Sequence, residues 1–201
     1  MRLKSKKKQF GIGAIIMIVL IVMVLALLFK KAADYLDMQY KIMSHPLQYE
    51  SAIESGAIKN DVDKYLVYAM VKTESSFNPK SESNVGARGL MQIMEDTFDW
   101  LKMKQGSEND EFSGMYDPEK NVEYGTYYIG YLIRYFEGDR KCAVAAYHAG
   151  ISSVESWLKN PECSRDGFAL DVIPKSDTAH YVDKIYKAYD TYIMLYEQEK
   201  K

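Results

Sequence analysis

A run of twenty residues near the N-terminus, from Phe10 to Phe29, carries no charge, and it restricts the possible folds more than any other feature. An α-helix needs about twenty residues to cross the hydrocarbon core of a bilayer, which is about 30 Å thick. Apolar side chains on every face argue against a core helix of a soluble protein. The run therefore predicts a membrane-spanning helix over residues 10–29.

The basic residues around this run predict its orientation. Lys30 and Lys31 follow it, whereas five basic residues precede it: Arg2, Lys4, Lys6, Lys7 and Lys8. The more basic flank stays in the cytoplasm. We expect a single-pass protein of the cell membrane, with residues 1–9 as a cytoplasmic tail and the rest outside. A cleaved secretory signal is the alternative, but its apolar region is usually about 7–15 residues and ends in a small-residue site.

The charge of the exported part excludes one class of function. The formal net charge is -2, but residues 1–31 hold seven of the 26 basic residues and no acidic one. Residues 32–201 therefore have 19 basic against 28 acidic residues, a net charge of -9. An acidic body of this kind is not expected to bind nucleic acid. The hydrophobic content of 47% is sufficient for a packed core and excludes a disordered chain.

The chain contains two cysteines, Cys142 and Cys163. In an exported domain they either form a disulfide or remain unpaired small apolar residues, and the sequence leaves both open. Together with the three histidines, they show none of the spacings typical of metal ligands. We expect no metal and no cofactor.

Spacings of three and four between apolar residues predict an all-α domain over residues 60–198. Residues 30–59 are expected to be a stalk, because Pro46 and Gly56 interrupt helical patterns. Asn60 or Asp61 is expected to cap the first helix of the domain. Helices are predicted near residues 60–75, 90–102, 122–136, 142–149, 153–158 and 178–199.

Glu74 lies at the end of an otherwise apolar predicted helix. The negative end of the helix dipole and partial burial both disfavour a charged carboxylate there, so both raise its pKa. A carboxyl group that stays protonated near neutral pH can act as a general acid on a glycosidic oxygen.

Five segments in order resemble the catalytic domain of the soluble-type lytic transglycosylases, relatives of goose-type lysozyme. ESSFNP at 74–79 is similar to ESxFxP, and SNVGARGLMQIMEDT at 83–97 to SxxGAxGLMQIMPxT. Asn121 to Ile129 is similar to NIxxGxxYL, AAYHAG at 145–150 to AAYNAG, and Ile173 to Val182 to IPxxETxxYV. Their order and spacing agree over about residues 60–196.

The resemblance implies a lysozyme-like fold that binds the glycan strands of peptidoglycan. Glu74 would protonate the oxygen between N-acetylmuramic acid and N-acetylglucosamine and then act as a base. The 6-hydroxyl of the muramic acid would attack the anomeric carbon and form a 1,6-anhydro end. No second acid is then needed, whereas a two-carboxylate glycosidase requires one.

The resemblance also implies the substrate-binding residues. Ser83 and Gln92 would donate hydrogen bonds to the sugar, Met94 would pack against it, and Tyr147 and Tyr181 would line the cleft. We expect Gln92 on the apolar face of the helix predicted near residues 90–102. His148 replaces the usual asparagine, and its charge can change near pH 6.5. Glu95 replaces a proline, and Asp177 and Ala179 also depart from the pattern.

Two alternatives remain from the sequence. A lysozyme-like hydrolase would need a second acid such as Asp96 or Asp99 to activate a water molecule. A non-catalytic wall-binding module of an envelope assembly would need no protonatable acid at position 74.

Overall fold

The computed structural model describes residues 11–197, and this part of the chain is helical apart from loops and two isolated β-bridges. The predicted all-α class is confirmed. The chain divides into two compact units, one up to Ser44 and one from His45 onward. The α-helices are α1 Ile12–Ser44, α2 Glu50–Asn60, α3 Lys64–Ser75, α4 Glu95–Gln105, α5 Pro118–Tyr135, α6 Arg140–Ala149, α7 Ile151–Leu158 and α8 Ser176–Tyr196, and a 3₁₀ helix covers Phe112–Tyr116.

The first unit is the single helix α1, and none of its described residues is buried. It is long and apolar enough to cross a membrane, as predicted. It continues well beyond Phe29, because residues 30–44 contain no glycine or proline and Lys41 pairs with Asp37 one turn before it, at 2.6 Å. The expected cytoplasmic tail and Phe10 lie outside the described residues.

Helix α2 belongs to the second unit, although the sequence suggested a stalk there. Ile53 and Ala57 are 0% and 2% exposed and lie in the hydrophobic core. Gly56 does not break the helix. A Cβ atom at that position would lie 2.7 Å from Oγ1 of Thr126, so the glycine allows α2 to pack closely against α5. The compact unit thus begins before the expected domain start at residue 60.

Helix α3 is the central helix of this unit. Its cap is Asp63, whose carboxylate accepts a hydrogen bond from the backbone N–H of Tyr65 at 2.9 Å. The expected caps, Asn60 and Asp61, instead end α2. Every residue from Tyr65 to Val71 is buried, and the helix ends at Ser75, as predicted from the proline that follows.

The predicted helix at residues 90–102 is wrong in its first turn. Residues 82–93 form a compact loop with bridges from Arg88 to Glu82 and to Ile93, and α4 begins only at Glu95. Gln92 has a left-handed backbone with φ 49°, which a helix does not allow. The loop conformation depends on contacts with α5, described below, that local periodicity does not reveal.

Helices α5 to α8 agree with the predicted segments to within a few residues. The 3₁₀ helix was not predicted. Both cysteines are buried free thiols, so the structure has the unpaired alternative. The Cys142 thiol lies 3.8 Å from the carbonyl oxygen of Phe168 and contacts the loop before α8.

Candidate active site

Glu74 lies in the last turn of α3, where the buried helix reaches the surface, and its side chain is half-buried. Burial raises its pKa from 4.5 to about 7. A hydrogen bond from Tyr181 and the positive charge of Lys184 act in the opposite direction but are weaker. The direction agrees with the prediction, and burial is its main cause. The carboxyl group can therefore be protonated or ionised near neutral pH.

Tyr181 connects α8 to this carboxyl group. Its buried hydroxyl donates a hydrogen bond of 2.5 Å to Oε1 of Glu74, across 107 residues of sequence. Burial raises the pKa of Tyr181 well above its usual value, so the hydroxyl remains a donor. The structure therefore brings together two of the residues that the sequence singled out.

His148 packs against Tyr181, with 4.6 Å between the ring centroids. Its Nδ1 lies 3.1 Å from Oγ1 of Thr178, which is fully buried in the first turn of α8. The pKa of His148 is lowered, mainly because the ring is partly buried. The charge of Asp177 opposes this effect, and the charge of Lys175 adds to it. An exposed, neutral imidazole thus lies next to the tyrosine that holds Glu74.

Tyr147 is near the end of α6. Its hydroxyl donates a hydrogen bond of 2.8 Å to the carbonyl oxygen of Met91, which joins α6 to the loop before α4. The Glu74 carboxylate acts electrostatically on Tyr147, and burial raises the pKa of the tyrosine well above its usual value. Tyr128 of α5 packs against Tyr147 with 5.0 Å between centroids. Tyr128 was not selected as a site residue, although it lies in one of the recognised segments.

Ser83, Gln92 and Met94 have mainly local contacts. Oγ of Ser83 accepts hydrogen bonds from the backbone N–H groups of Ala87 at 3.0 Å and Val85 at 3.4 Å. Nε2 of Gln92 donates to the carbonyl oxygens of Gly89 at 2.9 Å and of Ser81 at 3.1 Å. Met94 is 39% exposed and precedes α4. Within residues 11–197, the hydrogen bonds described for Ser83 and Gln92 are to their own loop and do not reach Glu74.

Asn121 of α5 fixes this loop, a role that the sequence did not reveal. Its fully buried amide accepts a hydrogen bond from the N–H of Met91 at 2.7 Å. It donates to the carbonyl oxygens of Arg88 and Met115, both at 2.9 Å. One side chain thus joins α5 to the loop at residues 82–93, through Met91 and Arg88, and to the 3₁₀ helix, through Met115. The available sequence signal was the asparagine that begins the recognised segment at 121–129.

The nearby carboxylates in sequence are engaged elsewhere or exposed. Glu82 accepts a hydrogen bond from Tyr116 at 2.6 Å. Asp96 and Asp99 are exposed on α4, and Asp99 pairs with Lys102 at 3.1 Å. In the described part of the chain, the charged group that perturbs the pKa of Glu74 is Lys184, not a second carboxylate.

Curated relatives of known type are similar to this chain in sequence. Soluble lytic murein transglycosylase of Escherichia coli K12 is 33% identical over 172 residues, which are 85% of this chain and 26% of that protein. Membrane-bound lytic murein transglycosylase C of Photorhabdus laumondii is 35% identical over 116 residues, 53% of this chain and 32% of that protein. This chain therefore spans about a quarter to a third of the length of these relatives.

Solved structures give the same result. An inactive mutant of the lytic transglycosylase Slt from Pseudomonas aeruginosa superposes with a TM-score of 0.67 and 28% identity, over 75% of this chain and 24% of that one. The 70 kDa soluble lytic transglycosylase of Escherichia coli gives 0.65 and 30%, over 75% and 25%. The lysozyme-like fold predicted for this chain is thereby confirmed. Residues 51–166 match the Transglycosylase SLT domain family, and the chain belongs to that family.

Proposed function

We propose that this protein is a membrane-anchored peptidoglycan lytic transglycosylase in which Glu74 is the single general acid and base. The observation that carries the proposal is the environment of Glu74. Burial raises its pKa to about 7, Tyr181 holds its Oε1, and no second carboxylate among the described residues perturbs it. The group can therefore be protonated before cleavage and charged after it, near neutral pH.

The reaction that fits one carboxyl group uses the substrate as its own nucleophile. Protonated Glu74 donates its proton to the oxygen that joins C1 of N-acetylmuramic acid to C4 of N-acetylglucosamine, and the bond from C1 to that oxygen breaks. The resulting carboxylate then removes the proton from the 6-hydroxyl of the same muramic acid. The 6-oxygen bonds to C1, a 1,6-anhydro ring forms, and Glu74 is protonated again without added water.

The surrounding residues have positioning roles in this proposal. Tyr181 orients the carboxyl group, and Tyr147 fixes the loop that carries Gln92 and Met94. We propose that Ser83, Gln92, Met94 and His148 contact the glycan around the scissile bond. Holding the 6-hydroxyl next to C1 in a fixed geometry replaces the second carboxylate of a hydrolase.

The proposed location follows from α1. We propose that its apolar part anchors the protein in the cell membrane, with the basic N-terminal residues in the cytoplasm and the unit from His45 outside. A long, uncharged apolar segment with more basic residues before it than after it supports this orientation. The membrane-bound transglycosylase C among the relatives supports membrane association.

The test is product analysis with the full chain purified in detergent. Peptidoglycan is digested with the wild type, with Glu74→Gln and, as matched carboxylate controls, with Asp96→Asn and Asp99→Asn. We expect muropeptides with 1,6-anhydro ends, one water lighter than reducing products by mass spectrometry. Glu74→Gln should release none, and both control variants should match the wild type.

Other outcomes would reject specific parts of the proposal. Reducing ends that disappear with Asp96→Asn or Asp99→Asn would identify a two-carboxylate hydrolase. Binding of glycan strands by the wild type without release of any product would identify a wall-binding module instead of an enzyme.

A further inference from the structure

An arginine on the loop at residues 82–93 packs against the 3₁₀ helix. The guanidinium group of Arg88 lies over the ring of Phe112, 4.3 Å from its centroid, and over the ring of Tyr116, at 5.2 Å. A cation is attracted to the negative face of an aromatic ring, and the planar guanidinium group also stacks on it. Two rings of the 3₁₀ helix therefore hold the Arg88 side chain.

Glu82 connects Arg88 to Tyr116 through its carboxylate. Its Oε1 pairs with Nε of Arg88 at 3.5 Å, and its Oε2 accepts a hydrogen bond from the Tyr116 hydroxyl at 2.6 Å. The hydrogen bond from Tyr116 and the charge of Arg88 both lower the pKa of Glu82, so the group stays charged near neutral pH. We call Glu82, Arg88, Phe112 and Tyr116 the arginine cluster.

The arginine cluster and Asn121 hold the same loop through different groups. Asn121 binds its backbone, at Met91 and Arg88, whereas the arginine cluster holds the side chains of Glu82 and Arg88. Backbone bridges join Arg88 to Glu82 at one end of the loop and to Ile93 at the other. A displacement of Arg88 would therefore move both ends of the loop.

Ser83 follows Glu82 directly in this loop. Its Oγ accepts hydrogen bonds from the backbone N–H groups of Ala87 at 3.0 Å and Val85 at 3.4 Å. A serine hydroxyl has two acceptor lone pairs and one hydrogen to donate. Within residues 11–197, both hydrogen bonds described for this Oγ are accepted ones, so the hydroxyl hydrogen is available to an acceptor on a bound sugar.

We propose that Arg88 is a positioning residue that fixes the Ser83 hydroxyl as a hydrogen-bond donor to the glycan. The inference rests on the proposed function, in which Ser83 contacts the glycan. The pattern SxxGAxGLMQIMPxT specifies no residue at position 88, so the recognised segment gives Arg88 no role. Arg88 itself does not touch the substrate. It acts through Glu82, which precedes Ser83 in the chain.

The test measures kcat and KM of the full chain in detergent on soluble glycan strands of peptidoglycan. Arg88→Gln should raise KM by about tenfold with little change in kcat, because a contact with the bound strand is lost while Glu74 is undisturbed. Tyr116→Phe keeps its ring under the guanidinium group and loses only the hydrogen bond to Glu82, so KM should rise by about threefold.

Arg165→Gln is the matched control. Arg165 also pairs with a carboxylate, that of Asp171 at 2.6 Å, but it is highly exposed and belongs to a different loop. This variant should keep the wild-type kcat and KM. A rise in KM equal to that of Arg88→Gln would show that the effect follows from the loss of any arginine charge.

A double-mutant cycle with Ser83→Ala tests how Arg88 acts. Each single variant should lower kcat/KM by about tenfold, and Ser83→Ala/Arg88→Gln should lower it no further, because both changes remove the same contact. A purely structural role of Arg88 would lower kcat with the folded fraction, leave KM unchanged and persist in the Ser83→Ala background.

Three results would overturn the inference while the wild type still forms anhydro products. They are wild-type kcat/KM in Ser83→Ala, losses that multiply to about a hundredfold in the double variant, and a loss of kcat alone in Arg88→Gln. If Arg88→Gln does not fold, the cycle with Tyr116→Phe decides in the same way, since independent effects would multiply to about thirtyfold. If the wild type forms no anhydro product, the proposed function itself fails.

Discussion

At the residue scale, the protonation state of Glu74 results from opposing effects of its surroundings. Burial favours the neutral carboxyl group, whereas Tyr181 and Lys184 favour the charged one. Because the proposed mechanism requires a protonated Glu74, kcat/KM of the wild type should fall as the pH rises through about 7. Tyr181 has two effects on Glu74: its hydrogen bond orients the carboxyl group and also lowers the pKa of that group.

Tyr181→Phe separates these two effects. The variant lacks the hydrogen bond that favours the carboxylate, so the pKa of Glu74 rises and the alkaline limb of kcat/KM moves up by about one pH unit. Maximal kcat should fall, because the carboxyl group is no longer oriented. Tyr186→Phe, at a half-buried tyrosine of the same helix, is the control. An unchanged alkaline limb would show that the hydrogen bond does not influence Glu74.

The raised pKa of Glu74 also reduces stability at high pH. Below pH 4.5 the group is neutral in both folded and unfolded chains, so it has no effect. As the pH rises from 4.5 to about 7, the unfolded chain releases this proton while the folded chain keeps it, and stability falls. Glu74→Gln should thus be more stable than the wild type at pH 8 by up to about 3 kcal/mol, and equal near pH 4.

Urea unfolding at the two pH values measures this difference. Asp190→Asn replaces an exposed carboxylate on α8 and should change stability by less than about 0.5 kcal/mol at either pH. A stabilisation by Glu74→Gln that is the same at pH 4 and pH 8 would contradict the raised pKa.

At the element scale, α5 supports the loop that leads into α4. Gly125 allows Met91 to approach this helix, since a Cβ atom there would lie 2.3 Å from Sδ and 2.8 Å from Cβ of Met91. Gly125→Ala should cost about 1–3 kcal/mol in stability, because the loop must move. It should also lower kcat, because the Met91 carbonyl accepts the hydrogen bond of Tyr147.

Gly114→Ala is the matched control for this packing. The new Cβ would meet only the flexible side chain of Lys120, at 3.4 Å. Unfolding and activity measurements on both variants test the prediction. A stable and fully active Gly125→Ala variant would show that the loop tolerates displacement from α5.

At the scale of the whole molecule, the position of α2 decides where the folded unit begins. A chain that starts at His45 keeps Ile53 and Ala57 in the core and should unfold cooperatively. A chain that starts at Asn60 leaves the partners of these residues exposed and should be less stable by at least about 3 kcal/mol. Urea unfolding compares the two, and equal stability would restore the boundary suggested by the sequence.

The sequence by itself determined the features that depend on neighbouring residues. An uncharged run from Phe10 to Phe29 and spacings of three and four residues fix a long apolar helix and an all-α domain, because side-chain periodicity is a local property of a helix. The end of α3 before Pro79 was predictable for the same reason. The recognised segments also singled out Glu74, Tyr147 and Tyr181 as candidate site residues without any geometry.

Only the tertiary structure decided how these residues meet. Glu74 and Tyr181 are 107 residues apart, and no local pattern predicts their hydrogen bond. The left-handed Gln92 lies in a loop held by Asn121, which is 30 residues from Met91. Gly56 is a helix breaker by propensity but a close-packing residue once Thr126 lies against it. Long-range contacts outweigh local propensity wherever they satisfy a buried polar group or fill the core.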